Sequence, residues 1–151
     1  MSLIYNRAKK EIMDGTIDLL TATVKVMLVA NTYTADPDHD FVDMGGASDP
    51  LDAELSGTGY AGGWGGAGRK TLSTKAITED DANNRAEFDA ADLTWAGINA
   101  GTIAAMILII EGGANDTTSK LIAYIDGGLP LTTNGGDVTI QWNAEGILQL
   151  T

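Results

Sequence analysis

The sequence predicts an all-β fold: a β-sandwich or closed barrel of about seven to nine short antiparallel strands, preceded by a short helix. Three observations predict it. Nineteen of the 151 residues are glycine, against ~7% in average proteins, which implies many turns and bends. Short apolar and β-branched runs recur at close spacing, bounded by polar and glycine-containing turns. Only the first segment carries a helical period. With 44% hydrophobic and 20% charged residues, the chain has the make-up of one soluble globular unit, and residues 1–151 are expected to form a single β-domain.

Taken in order, LIYNRAKKEIMDG places Ile4, Ala8 and Ile12 on one stripe, and Gly15 supplies a stop. Residues 1–15 therefore read as a helical arm. TVKVMLVA at 23–30 is a buried strand. Residues 31–68 are expected to be irregular, first acidic and then glycine-rich, with one helical turn near Phe41 and Val42. RKTLSTKAIT at 69–78 reads as one strand with Leu72, Thr74 and Ala76 on a single face, and EDDANN at 79–84 as a polar turn. RAEFDA and DLTWAGI make two more strands. TIAAMILII at 102–110 is nearly all apolar and reads as a strand buried on both faces. KLIAYID follows. LPLTT, NGGD and VTIQWNA then form a hairpin across Asn134-Gly135, with Val138, Ile140 and Trp142 facing inward. ILQLT is the last strand.

Composition excludes several classes of function. Twenty-one acidic residues against nine basic ones give a net charge of −12, which repels phosphate backbones, so no nucleic-acid partner is expected. Cysteine is absent, which removes disulfides, thiolate metal sites and cysteine nucleophiles. MSLIYNRAKKEIMDG has no continuous apolar core, so no signal peptide is expected. IAAMILII at 103–110 is far shorter than the ~20 residues of a membrane span, so no membrane partner is expected. Charge is unevenly distributed: Arg7, Lys9 and Lys10 stand among the first ten residues without an acid. Such a segment is either a solvated helix face or a dock for an acidic surface.

Four constellations suggest chemistry, and each lacks something its mechanism needs. GTGYAGGWGGAGRKT at 57–71 contains a G-x-G-x-x-G spacing and nearly spells a phosphate loop, but Arg69 separates Gly68 from Lys70. No strand precedes it and no long helix follows, so the helix N-terminus that would meet a phosphate is missing. The loop is expected to be pliable and to grip protein. DPDHDFVD sets Asp36, Asp38 and Asp40 at alternate positions, as a calcium loop begins, but Phe41 and Ala47 stand where the motif needs glycine and glutamate. A looser calcium site stays open beside a solvated acidic loop. His39 is the only histidine, so neither a two-histidine nor a three-histidine metal centre exists, and no G-x-S-x-G elbow accompanies it. Glu79, Asp80, Asp81, Asp89 and Asp92 supply carboxylates for a glycosidase pair, but in turn contexts rather than along an aromatic cleft. No enzyme activity, cofactor or metal is expected.

YNRAKKEIMDGTIDL followed by TVKVMLV, then LSGTGYAGG, GRKTL, DLTWAGI and LIAYIDGGLPLTTNGGDVTIQWNAEGILQL, resemble a small virion protein of tailed bacteriophages, of the head decoration or cement type. The resemblance covers almost the whole chain, and its motifs are turns and strands. It implies a mechanical function: binding the outer surface of an icosahedral head, with the major capsid protein as partner and a homo-oligomer, a trimer for preference, as the attached form. It also implies a place on the virion, after assembly in the host cytoplasm. A tail or head-fibre component and a carbohydrate-binding β-module are the alternatives. Chosen by charge and expected exposure, the attachment residues would be Tyr5, Arg7, Lys9 and Lys10 in the arm, and Tyr60, Trp64, Arg69 and Lys70 in the glycine loop. On that expectation the arm could be removed without unfolding the β-domain.

Overall fold

The computed structural model describes residues 2–151, and one strand buried on both faces organises it. This strand belongs to a set of twelve: β1 (Ser2–Ile4), β2 (Val24–Val29), β3 (Lys70–Thr71), β4 (Ala76–Asp80), β5 (Arg85–Asp89), β6 (Leu93–Trp95), β7 (Thr102–Ile103), β8 (Ala105–Ile110), β9 (Lys120–Ile125), β10 (Leu131–Thr132), β11 (Val138–Ile140) and β12 (Leu148–Leu150). One α-helix, α1 (Asn6–Met13), and 3-10 turns at Pro50–Ala53 and Asp116–Thr118 complete the elements of the described residues. The fold is all-β, with every strand pairing antiparallel. Its strands form a five-stranded sheet (β1-β9-β8-β2-β3), a three-stranded sheet (β12-β5-β4) and two strand pairs, β10-β7 and β11-β6. The sheets do not close into a barrel.

β8 lies at the centre of the larger sheet between β2 and β9, and Ala105 through Ile109 are all buried. Its apolar residues need cover on both faces, and they join Val26, Leu28, Leu121 and Ile122 in one continuous core. Cutting a side chain such as Ile107 to alanine there costs about 2–5 kcal/mol. The expected single strand over 102–110 is in fact two. At Ala104, whose amide donates to the Val29 carbonyl, the chain leaves its pairing with β10 and joins the larger sheet.

Several other expectations are corrected. The helix begins only at Asn6, because Ser2–Ile4 pairs with Ala123–Ile125 and Tyr5 is extended, its amide donating to Ile122. Gly15 ends the helix as expected, with φ of 76°. No helical turn forms at Phe41 and Val42: Phe41 bridges to Lys120, the Val42 amide reaches Ser119, and the turn lies at Pro50–Ala53. The strand over 69–78 is broken into β3 and β4, with Thr74 left-handed at φ 52°. The largest correction is the hairpin. Residues 131–140 do not fold back on themselves; β10 pairs with β7 and β11 with β6, so this stretch runs antiparallel to residues 93–103. Asn134–Asp137 is a bulge in a continuing ribbon, and the two pairings are offset by one residue. Val138, Ile140 and Trp142 still alternate inward of exposed Thr139, Gln141 and Asn143, as their period predicts.

In the smaller sheet Ile77, Phe88 and Leu148 form one cross-strand row. Phe88 and Leu148 are buried, whereas Ile77 is 49% exposed. That row looks toward α1 across a narrow gap.

Candidate interaction surfaces

The glycine-rich loop is fastened to its own chain. Its centre is Arg69, whose side chain has no exposed surface. The guanidinium forms a two-pronged pair with Glu54 (2.8 and 2.6 Å), a second with Asp116 (2.7 and 2.9 Å), and one bond to Glu111 at 3.2 Å. Lys25 also pairs with Glu111. Burial opposes the charge on Arg69, but the bonds from Glu54 and Asp116 outweigh it and hold the guanidinium more firmly protonated than usual. For Glu111, burial alone would raise the carboxyl; hydrogen bonds from Lys25 and the Gly65 amide, with Arg69, hold it below the ordinary carboxylate value.

Two of these carboxylates also accept backbone amides of the loop. Gly63 N–H donates to Glu54 at 2.7 Å and Gly65 N–H to Glu111 at 3.2 Å. Exposed loop amides are what a phosphate would use. Here carboxylates of the same chain already take two of them, Gly63 and Gly65. Tyr60 is buried, donating its hydroxyl to Glu54 and accepting the Leu28 amide; burial pushes its hydroxyl pKa up. The glycines allow the packing. A Cβ on Gly66 would lie 2.3 Å from the Ala61 carbonyl oxygen, so no larger residue fits without moving backbone. The expected pliable loop is thus a tightly built one.

The arm is equally engaged. Tyr5 is fully buried, with its hydroxyl 2.8 Å from that of Tyr33. Arg7 pairs with Glu11 at 2.9 Å and Asp40 at 3.3 Å, and its guanidinium carbon lies 4.4 Å from the Phe41 ring centre. Buried Glu11 also receives Lys120 at 2.6 Å. Burial would raise the Glu11 carboxyl, and the bonds from Lys120 and Arg7 bring it below its usual value. The acidic surface that the arm docks on is therefore the 36–41 loop of its own chain. Asp38 accepts from Asn6 at 2.7 Å. Because β1 and α1 are built into the larger sheet and core, removing residues 2–10 would disturb the fold, contrary to the sequence-based expectation. Met1 lies outside the described residues.

Of the eight expected attachment residues, Tyr5, Tyr60 and Arg69 are buried and lack the exposure on which their choice rested. Arg7 and Lys70 are half-buried. Lys9 and Lys10 are exposed, Lys10 pairing with Asp14 at 2.8 Å. Trp64 is 47% exposed, though its indole N–H donates to the Gly112 carbonyl at 2.7 Å. Sequence reasoning missed Glu54, Glu111 and Asp116, which fix the loop. A signal for them was present: an arginine closing an uncharged glycine run, in an acid-rich chain, needs carboxylates if it is buried.

The other constellations are separated in space or satisfied. Asp36 accepts the Asp38 amide, while Asp38 and Asp40 turn to Asn6 and Arg7. His39 Nδ1 lies 3.1 Å from the Tyr33 hydroxyl. Asp80 holds Arg85 and Asn83 at the β4–β5 turn, and Asp92 accepts the Trp142 amide. Among the described residues, no group of three acidic or histidine side chains is placed to hold a metal ion. Nor is any helix among them long and apolar enough to cross a membrane.

One open cavity is almost wholly apolar. A pocket of about 70 Å³ lies between α1 and the smaller sheet, lined by Ile4, Ile12, Leu19, Ile77, Phe88 and Leu150. Leu150 is 59% exposed. Next to it, and sharing Ile4 and Leu148, a cleft of about 230 Å³ separates β1 from β12. Comparison with known families, curated proteins and solved structures found no match for this chain.

Proposed function

We propose that this chain is a non-catalytic, protein-binding component of a virion, a decoration protein that attaches to the major capsid protein on the outside of the head and braces it. The observation that carries the protein-binding part is the open apolar pocket between α1 and the smaller sheet, with the mixed cleft between β1 and β12 beside it. The resemblance to phage head decoration proteins, which spans almost the whole chain, supplies the virion context. Elsewhere Arg69, Glu54, Asp116, Glu11 and Lys120 are taken up in internal ion pairs, which stiffen the body. A stiff body with a limited apolar contact suits bracing, because many modest contacts repeated over a shell add up to strong retention. Trimers at symmetry axes are the attached form that the resemblance implies.

Cryo-electron microscopy of purified particles that carry this chain tests the proposal. Many copies spread over the head surface are expected. Copies confined to one vertex or to the tail would replace decoration by a fibre or tail role, and particles lacking the chain would overturn a virion role.

A further inference from the structure

Two sheets end side by side at the cleft. β1 is the outer strand of the larger sheet and β12 the outer strand of the smaller one. Residues 2–4 and 147–149 line opposite walls, with Lys9 at the rim. Pairing within β1 fixes which backbone groups are open. The Tyr5 amide donates to Ile122, directly opposite it in the β1–β9 register, so Leu3 forms the next hydrogen-bonded pair, with Tyr124. Alternation in an antiparallel ladder then turns the N–H and C=O groups of Ser2 and Ile4 away from β9. Among the described residues they have no strand partner. Open edges of this kind are usually covered or blunted, since they invite another chain to pair.

The rim of the cleft also carries an unpaired charge. Arg7, Lys10, Lys25, Arg69, Arg85 and Lys120 all pair with carboxylates. Lys75 donates to the carbonyls of Leu19 and Ala22. Among the described residues Lys9 and Lys70 have no ion pair, and Lys9, the one at this cleft, makes only a 3.3 Å contact with Asn6 Oδ1. In a chain of net charge −12, this leaves an unneutralised cation beside an open strand edge and the apolar side chains of Ile4 and Leu148.

We propose that the cleft accepts an extended segment of a partner protein, which adds as a strand to the open edge of β1. Its apolar side chains would face Ile4 and Leu148, and a carboxylate would lie against Lys9. Main-chain bonds to Ile4 supply affinity, and the alternate side-chain pockets and Lys9 supply selectivity. The proposal rests on the protein-binding function above and names the chemistry of its partner.

The test screens a library of random linear dodecapeptides against the full chain, with the recovered peptides resynthesised. Recovered peptides are expected to alternate apolar residues and to carry Asp or Glu, and to slow hydrogen exchange at Ile4. Ile4→Pro removes the outward N–H and should weaken them about ten-fold, because proline is accepted in an edge strand where its missing N–H faces solvent. Lys9→Glu is an exposed change that leaves the core untouched; it should weaken them about five-fold and lower their dependence on salt. Peptides that protect another surface, that bind Lys9→Glu as they bind the unaltered protein, or that are not recovered at all would overturn the proposal. Head decoration seen by microscopy together with any of these results would leave the virion function standing and remove the cleft as its means.

Discussion

Arg69 and Arg85 each sit among three carboxylates, and burial makes them different devices. Arg69 has no side-chain exposure, and its partners Glu54, Asp116 and Glu111 are 2%, 4% and 13% exposed. Arg85 is 12% exposed, and its partners Asp80, Glu87 and Glu145 range from 13% to 60%. Water screens the second set and side-chain freedom competes with it, so it adds little. In the first set, Arg69 draws together residues 54, 111 and 116 and closes the glycine loop over them. Desolvation makes such a cluster costly to assemble, and its absence would be costlier still, because carboxylates would stay buried without their cation. The lesson is that the number of ion pairs says less than where they lie.

The comparison is most easily broken at Arg69. Arg69→Met should cost about 3–5 kcal/mol of unfolding free energy, read by chemical denaturation. A loss under 1 kcal/mol would mean that the cluster relaxes into water and that the loop is not fixed by it. Acid gives a graded version. Glu111 is held below its usual value in the folded state, so the stability it contributes is complete above the ordinary carboxyl pKa of ~4.3 and is lost as pH falls through the lower folded value. In Arg69→Met that cation is absent, so protonating the crowded carboxylates relieves repulsion. The stability difference between the two proteins should therefore shrink between pH 7 and pH 3, as measured by urea titration. A difference that stays constant with pH would show that Arg69 acts by packing alone. The smallest effect belongs to Arg85→Ala, expected to change stability by less than about 1 kcal/mol and to fade in high salt.

Several elements are legible from local pattern. β8 is apolar at nearly every position, which only a strand covered on both faces accommodates, and the structure buries it so. The alternation from Val138 to Asn143 and the stop at Gly15 are equally local, and both hold. Misread elements are those where pattern and partner separate. Asn134-Gly135 has the composition of a reversing turn, but its flanking strands find better cover against β6 and β7, so the glycines serve a bulge instead. Ser2–Ile4 carries part of a helical stripe, but β9 offers it a sheet edge. In the candidate surfaces, charge suggested outward contact for Arg7 and Arg69. Their carboxylate partners include residues 33 and 47 positions away along the chain.

By itself, the sequence determined the all-β character, the central strand and the helix at the start, since each depends on periodicity or on residues adjacent in the chain. Tertiary structure alone decided which charges are spent inside the molecule and which edge stays open. Both depend on pairings between distant segments, and burial changes the worth of a charge or a free amide far more than its neighbours in sequence do.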